Sequence, residues 1–199
     1  RMMHAAVAVV AFVAVAGAVF WLSEQQARKM QVGIPDFSSQ EFRLTDQSGA
    51  SRSAADFIGA PVALFFGYTH CPDVCPMTLT LLANALDEAG DRGLDTAALQ
   101  TIFVTVDADR DTPEQLAAYL SLFDTEVIGL TGPPEALVKV QRDFGVYASR
   151  VARDDGVVLW DHTATVYLYD ADGRFTGTIV FNEPLEFVNE KLAHFFRAG

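Results

Sequence analysis

The chemistry of this chain is concentrated at Cys71 and Cys75, its only two cysteines, which stand with three residues between them in GYTHCPDVCPM, residues 67–77. An apolar run precedes them and a helical pattern follows. A thiol near a helix N-terminus meets unpaired N–H groups and the positive end of the helix dipole, which stabilise the thiolate. Pro76 suits a first helical turn and Pro72 keeps the preceding loop out of helical geometry, so the pair is expected to straddle the loop-to-helix junction. Both sulfurs can then face one side. Such a pair could form a disulfide, exchange disulfides with another protein, or hold a metal as thiolates.

The elements around the pair suggest how it is positioned. Residues 61–68, PVALFFGY, form a continuous apolar run expected of a strand covered on both faces, and the best candidate for the centre of a sheet. Residues 76–89 place Leu79, Leu82, Ala83 and Leu86 on one helical face and end at Gly90. Residues 99–106, LQTIFVTV, read as a second buried strand, and Thr112 with Pro113 as the start of a second helix. A short strand at 127–130, a helix at 133–144, a hairpin from 165–169 and 174–181, and a closing helix at 186–196 complete the series. Residues 42–49 add a strand and turn near the start. A βαβ half followed by a hairpin and a terminal helix is the layout of an α/β, thioredoxin-like fold. In that layout the reactive site lies beyond the C-terminal end of a central strand, where both cysteines sit.

A third residue separates the possible chemistries. His162 lies in WDHTATVYLYD, residues 160–170, just before the hairpin, where the fold packs a loop against the cysteine motif. Two soft thiolates and an imidazole suit copper in either oxidation state, whereas a structural zinc site would use a fourth protein ligand that the sequence does not supply. Asp161 is a candidate acceptor for orienting the imidazole. His70, beside Cys71, is expected to point elsewhere and tune the loop. Met77 is assigned to core packing, and Trp160 to the core or to a lid. His4 and His194 fall outside the constellation. Asp107, Asp109 and Asp111 resemble a hard-cation cluster but are read as solvating a loop and capping the helix near Pro113.

Three blocks, GYTHCPDVCP at 67–76, VDADRDTP at 106–113 and DHTATVYLYDADGRF at 161–175, resemble the signatures of the Sco/SenC family from about Asp36 to the C-terminus. Ala108 stands where the family commonly has proline. The resemblance implies a thioredoxin-fold copper chaperone that assists assembly of the binuclear copper site of cytochrome c oxidase, with subunit II or another copper-accepting protein as recipient. It also implies that Cys71, Cys75 and His162 are the ligands of Cu(I) or Cu(II). The competing function is a thiol-disulfide oxidoreductase that uses Cys71 and Cys75 alone and keeps target cysteines reduced. A peroxidase would need a further motif, and a membrane-linked copper or redox sensor is a third class.

Residues 5–22, AAVAVVAFVAVAGAVFWL, carry no charge, and at ~1.5 Å per residue they reach about 27 Å, close to the thickness of a bilayer's hydrocarbon core. The apolar run continues past the small residues Ala16, Gly17 and Ala18 to Trp21, which favours a single transmembrane anchor over a cleaved signal. The expected organisation is an anchor at 1–24, a linker at 25–35 and a copper-binding domain at 36–199. The resemblance places that domain in the periplasm from a bacterial inner membrane, or in the intermembrane space if the protein is mitochondrial. A net charge of −12 without a basic run argues against nucleic acid as a partner.

Overall fold

The computed structural model describes Gly17, residues 33–153 and residues 156–198. The expected anchor and most of the linker therefore lie outside the described residues, and no described helix is long and apolar enough to cross a membrane. The chain divides after Ile34, and the unit Pro35–Gly199 carries the fold.

In chain order its elements are β1 (Arg43–Asp46), β2 (Ser51–Ser53), β3 (Val62–Gly67), α1 (Val74–Asp91), β4 (Gln100–Thr105), α2 (Pro113–Leu120), β5 (Val127–Thr131), α3 (Pro134–Asp143), β6 (Ala148–Ala152), β7 (Val158–His162), β8 (Thr165–Tyr169), β9 (Phe175–Val180) and α4 (Leu185–Ala198). Seven strands form one sheet in the order β2-β1-β5-β4-β3-β8-β9, and β6 pairs with β7 in a separate hairpin. β3, β4 and β5 run parallel, while β8 lies antiparallel to β3 and β1 antiparallel to β5.

The apolar runs fix this arrangement. All six residues of β3 are buried, as are the last five of β4. Each fully buried Val, Leu, Ile or Phe side chain among them contributes roughly 1.5–3 kcal/mol. The strand expected at the sheet's centre, β3, is interior but sits one place from the middle, which β4 occupies. Leu79, Leu82, Ala83 and Leu86 of α1 are buried as their spacing predicts. α1 packs on α4, and α2 covers β5.

Thr112, rather than an aspartate, caps α2, accepting the Gln115 N–H at 3.3 Å. β2 and the β6–β7 hairpin are additions to the expected series. Neither strand of that hairpin has a fully buried residue, so no apolar period marks it.

Candidate metal centre

β3 ends at Gly67, and the chain turns through Tyr68–Asp73 before α1 begins at Val74. Cys71 therefore sits in the loop and Cys75 in the first helical turn, straddling the junction as expected. Asp73, at the cap position, makes no side-chain capping bond. Instead Cys71 Sγ accepts the Cys75 N–H at 3.4 Å, so a sulfur occupies the place where a helix N-terminus favours an anion.

Cys75 is fully buried and Cys71 half-buried. The thiol of Cys75, donating to the Cys71 sulfur, is the largest influence holding Cys71 down to about 4; burial opposes it, while the N–H groups of Cys75 and Asp73 reinforce it. The same contact and then burial push Cys75 far up. Without metal the pair is an asymmetric thiolate and thiol.

The backbone of β3 makes room for this sulfur. A Cβ on Gly67 would stand 2.9 Å from Cys75 Sγ and 2.7 Å from the Phe103 ring. Glycine is required here for space, a need the sequence does not announce. Phe103 also contacts the ring of Tyr119, whose hydroxyl is buried without a hydrogen-bond partner among the described residues.

His162, the last residue of β7, comes from the unanticipated hairpin. Its Nε2 lies 3.4 Å from Cys75 Sγ, and its Nδ1 lies 3.1 Å from the Thr163 carbonyl. A carbonyl only accepts, so Nδ1 carries the proton and the Nε2 lone pair faces the sulfurs. The rings of Phe65 and Tyr68 meet the imidazole edge-on. One ligand atom from each of Cys71, Cys75 and His162 lies within 4.8 Å of the others. An ion with bonds of about 2.0–2.3 Å can bridge such separations after small side-chain rotations.

The neighbouring residues differ from their sequence assignments. Asp161 is exposed, and the Thr163 carbonyl holds the His162 ring in its place. Met77 is 52% exposed rather than packed in the core. Trp160 is half-buried, with an indole N–H that has no partner among the described residues. His194 lies on α4, outside the cluster, and His4 lies outside the described residues.

Of the three aspartates only Asp109 is exposed. Asp107 is buried and paired with Arg110. Asp111, fully buried, accepts the Thr69 N–H at 3.0 Å, the Thr69 hydroxyl at 2.6 Å and the Thr105 hydroxyl at 2.5 Å. It ties the cysteine loop to the end of β4, so its role is neither solvation nor a helix cap.

The SCO1/SenC family model matches residues 34–197. Among curated relatives, the mitochondrial SCO2 homolog of Danio rerio is 39% identical over 152 residues, 76% of this chain and 52% of that protein. Protein SenC of Rhodobacter capsulatus is 36% identical over 140 residues, 70% of this chain and 59% of that protein. The chain thus spans between half and three-fifths of the length of these relatives. Among solved structures, copper-bound ScoI of Arabidopsis thaliana superposes with a TM-score of 0.75 at 30% identity, covering 80% of this chain and 98% of that one. Copper-bound ScoI of Bradyrhizobium japonicum gives 0.69 at 40% identity, covering 78% and 98%.

Proposed function

This chain belongs to the SCO1/SenC family, and from that premise we propose that it is a membrane-tethered copper chaperone. Cys71, Cys75 and His162 bind copper, Cu(I) or Cu(II), and pass it to the binuclear copper site of cytochrome c oxidase subunit II. The observation that carries this reading is the convergence of two sulfurs and the Nε2 lone pair on one point. The copper bound by the Arabidopsis and Bradyrhizobium proteins supports the choice of metal. Three ligands leave the ion open to a fourth from an acceptor, so it can leave by ligand exchange. In this reading residues 1–24 anchor the chain in the bacterial inner membrane, or the mitochondrial inner membrane. Residues 25–35 link, and the domain from 36 faces the periplasm or intermembrane space.

Binding displaces the Cys75 proton, because copper takes the thiolate. His162 Nε2 is then a ligand, and the Thr163 carbonyl keeps its ring turned inward. Exchange with a partner's disulfide, which takes the two electrons and leaves as two thiols, would convert the pair to a disulfide, remove both thiolates and release the ion, which couples loading to redox state.

One observation favours a second reading, a thiol-disulfide oxidoreductase: Cys71 is a ready nucleophile beside a protonated partner. Its thiolate would attack a target disulfide to form a mixed disulfide, releasing one target thiolate. Cys75, passing its proton to His162 Nε2, would then displace the second target thiolate. The electrons come from the two cysteines, which end as a disulfide. The experiment that separates the readings loads the protein with copper and mixes it with the copper-free soluble domain of subunit II. The chaperone reading predicts appearance of the acceptor's copper absorption. Reduction of acceptor cysteines without metal transfer would favour the oxidoreductase.

A further inference from the structure

The cysteine loop carries a second imidazole. His70 directly precedes Cys71, and its side chain is 49% exposed. Its Nδ1 lies 2.9 Å from the Thr69 hydroxyl oxygen. That hydroxyl has one hydrogen, which it gives to Asp111 Oδ1 at 2.6 Å. Thr69 therefore accepts from His70, Nδ1 carries the proton, and the lone pair of a neutral His70 sits on Nε2.

Behind this relay stands an anion. Asp111 is fully buried, and its Oδ1 lies 3.8 Å from His70 Nδ1. A carboxylate acting on the far nitrogen of an imidazole fixes its tautomer and strengthens the other nitrogen as a metal donor. His70 Nε2 has no hydrogen-bond partner among the described residues. The arrangement parallels that of His162, whose Nδ1 is likewise tied to an oxygen and whose Nε2 is left free for another contact. His162 belongs to the three-residue cluster; His70 stands outside it, half exposed, at the position before Cys71.

We propose that His70 is an exchangeable outer ligand that takes copper in transit, holding the ion as it arrives at or leaves Cys71. The inference rests on the copper reading above. Each step forms one copper–ligand bond and breaks one, and no electron moves. An incoming Cu(I) gains His70 Nε2 as it loses a donor's ligand, gains Cys71 Sγ as it loses a second, gains Cys75 Sγ, whose proton passes to water, as it loses a third, and last exchanges the His70 imidazole for His162 Nε2. Departure reverses the order.

The test uses the reduced full chain in detergent micelles, loaded with one Cu(I). Transfer to bicinchoninate is followed by stopped flow for wild type, His70→Ala and Thr69→Val. His70→Ala is expected to transfer about tenfold more slowly, at unchanged stoichiometry and with an unchanged sulfur-to-copper band in the Cu(II) form. Added imidazole is expected to restore the rate, and Thr69→Val to fall between. An unchanged rate in His70→Ala overturns the proposal. So does a changed Cu(II) spectrum, which would make His70 a resident ligand. A His162→Ala control that binds copper as wild type does contradicts the three-ligand reading instead, and the two failures are distinguished by which variant changes.

Discussion

The sulfur of Cys75 lies 3.4 Å from Nε2 of His162, across 87 positions of the chain. Two unrelated local structures meet at that contact. Cys75 is delivered by the first turn of α1, at the C-terminal end of β3, and His162 by the end of the β6–β7 hairpin. The Thr163 carbonyl decides which imidazole nitrogen faces the sulfur. The contact depends on a missing side chain as well, because a Cβ at Gly67 would intrude on both Cys75 and Phe103.

Gly67→Ala therefore should cost about 1–3 kcal/mol by overpacking and should also displace the Cys75 sulfur. Chemical denaturation and copper titration of the same variant check the two effects together. Unchanged stability with unchanged affinity would show that the site tolerates the extra methyl and that the close approach is not a constraint.

The asymmetry of the two cysteines predicts selective reactivity. Held down to about 4, Cys71 stays a thiolate at pH 6, so iodoacetamide should modify it there while sparing the buried, protonated Cys75. Its rate should change little between pH 6 and pH 8. An ordinary thiol with a pKa of about 8.5 gains roughly tenfold per pH unit in that range. Peptide mass spectrometry after timed quenching distinguishes the two, and a steep rise at Cys71 would count against the thiolate assignment.

Much of this was legible in the sequence, and the exceptions have physical causes. β3 and β4 announce themselves because parallel strands covered on both faces need continuous apolar runs, and α1 through the spacing of Leu79, Leu82 and Leu86. The position of His162 near the cysteines followed from fold analogy and family resemblance rather than from any local pattern. The hairpin that carries it leaves no mark in the sequence because its strands, without a fully buried residue, show no alternation. Asp107 and Asp111 read as solvated carboxylates in the sequence because composition does not reveal burial. Thr69 and Thr105, which partner Asp111, are polar residues beside or within apolar strands, and that was the available signal. The role of Gly67 depends on a contact between β3 and α1, and no one-dimensional pattern contains it.

Asp46, at the end of β1, predicts an acid-sensitive part of the fold. Burial disfavours its charge, but the Ser48 hydroxyl at 2.6 Å, the Arg52 guanidinium at 2.7 Å and the N–H groups of Ala50 and Ser48 outweigh that and hold it down to about 2. A depressed carboxylate contributes stability that is present above its ordinary value of 3.8 and is lost as pH falls from there through about 2. Asp46→Asn should lower stability by about 1–3 kcal/mol at neutral pH, with the difference from wild type shrinking below pH 4. Thermal unfolding of both proteins across pH 2 to 7 checks it, and a gap that persists undiminished at pH 2 would rule out this source.

The most direct test of the account is copper titration of the reduced protein, wild type beside His162→Ala and Cys75→Ser, read by absorption and electron paramagnetic resonance. The account predicts one copper per wild-type chain, sulfur-to-copper charge transfer in the oxidised form, and loss of tight binding in both variants. Copper binding by His162→Ala equal to that of wild type, or no binding by wild type, would contradict it and leave the thiol-disulfide oxidoreductase as the function.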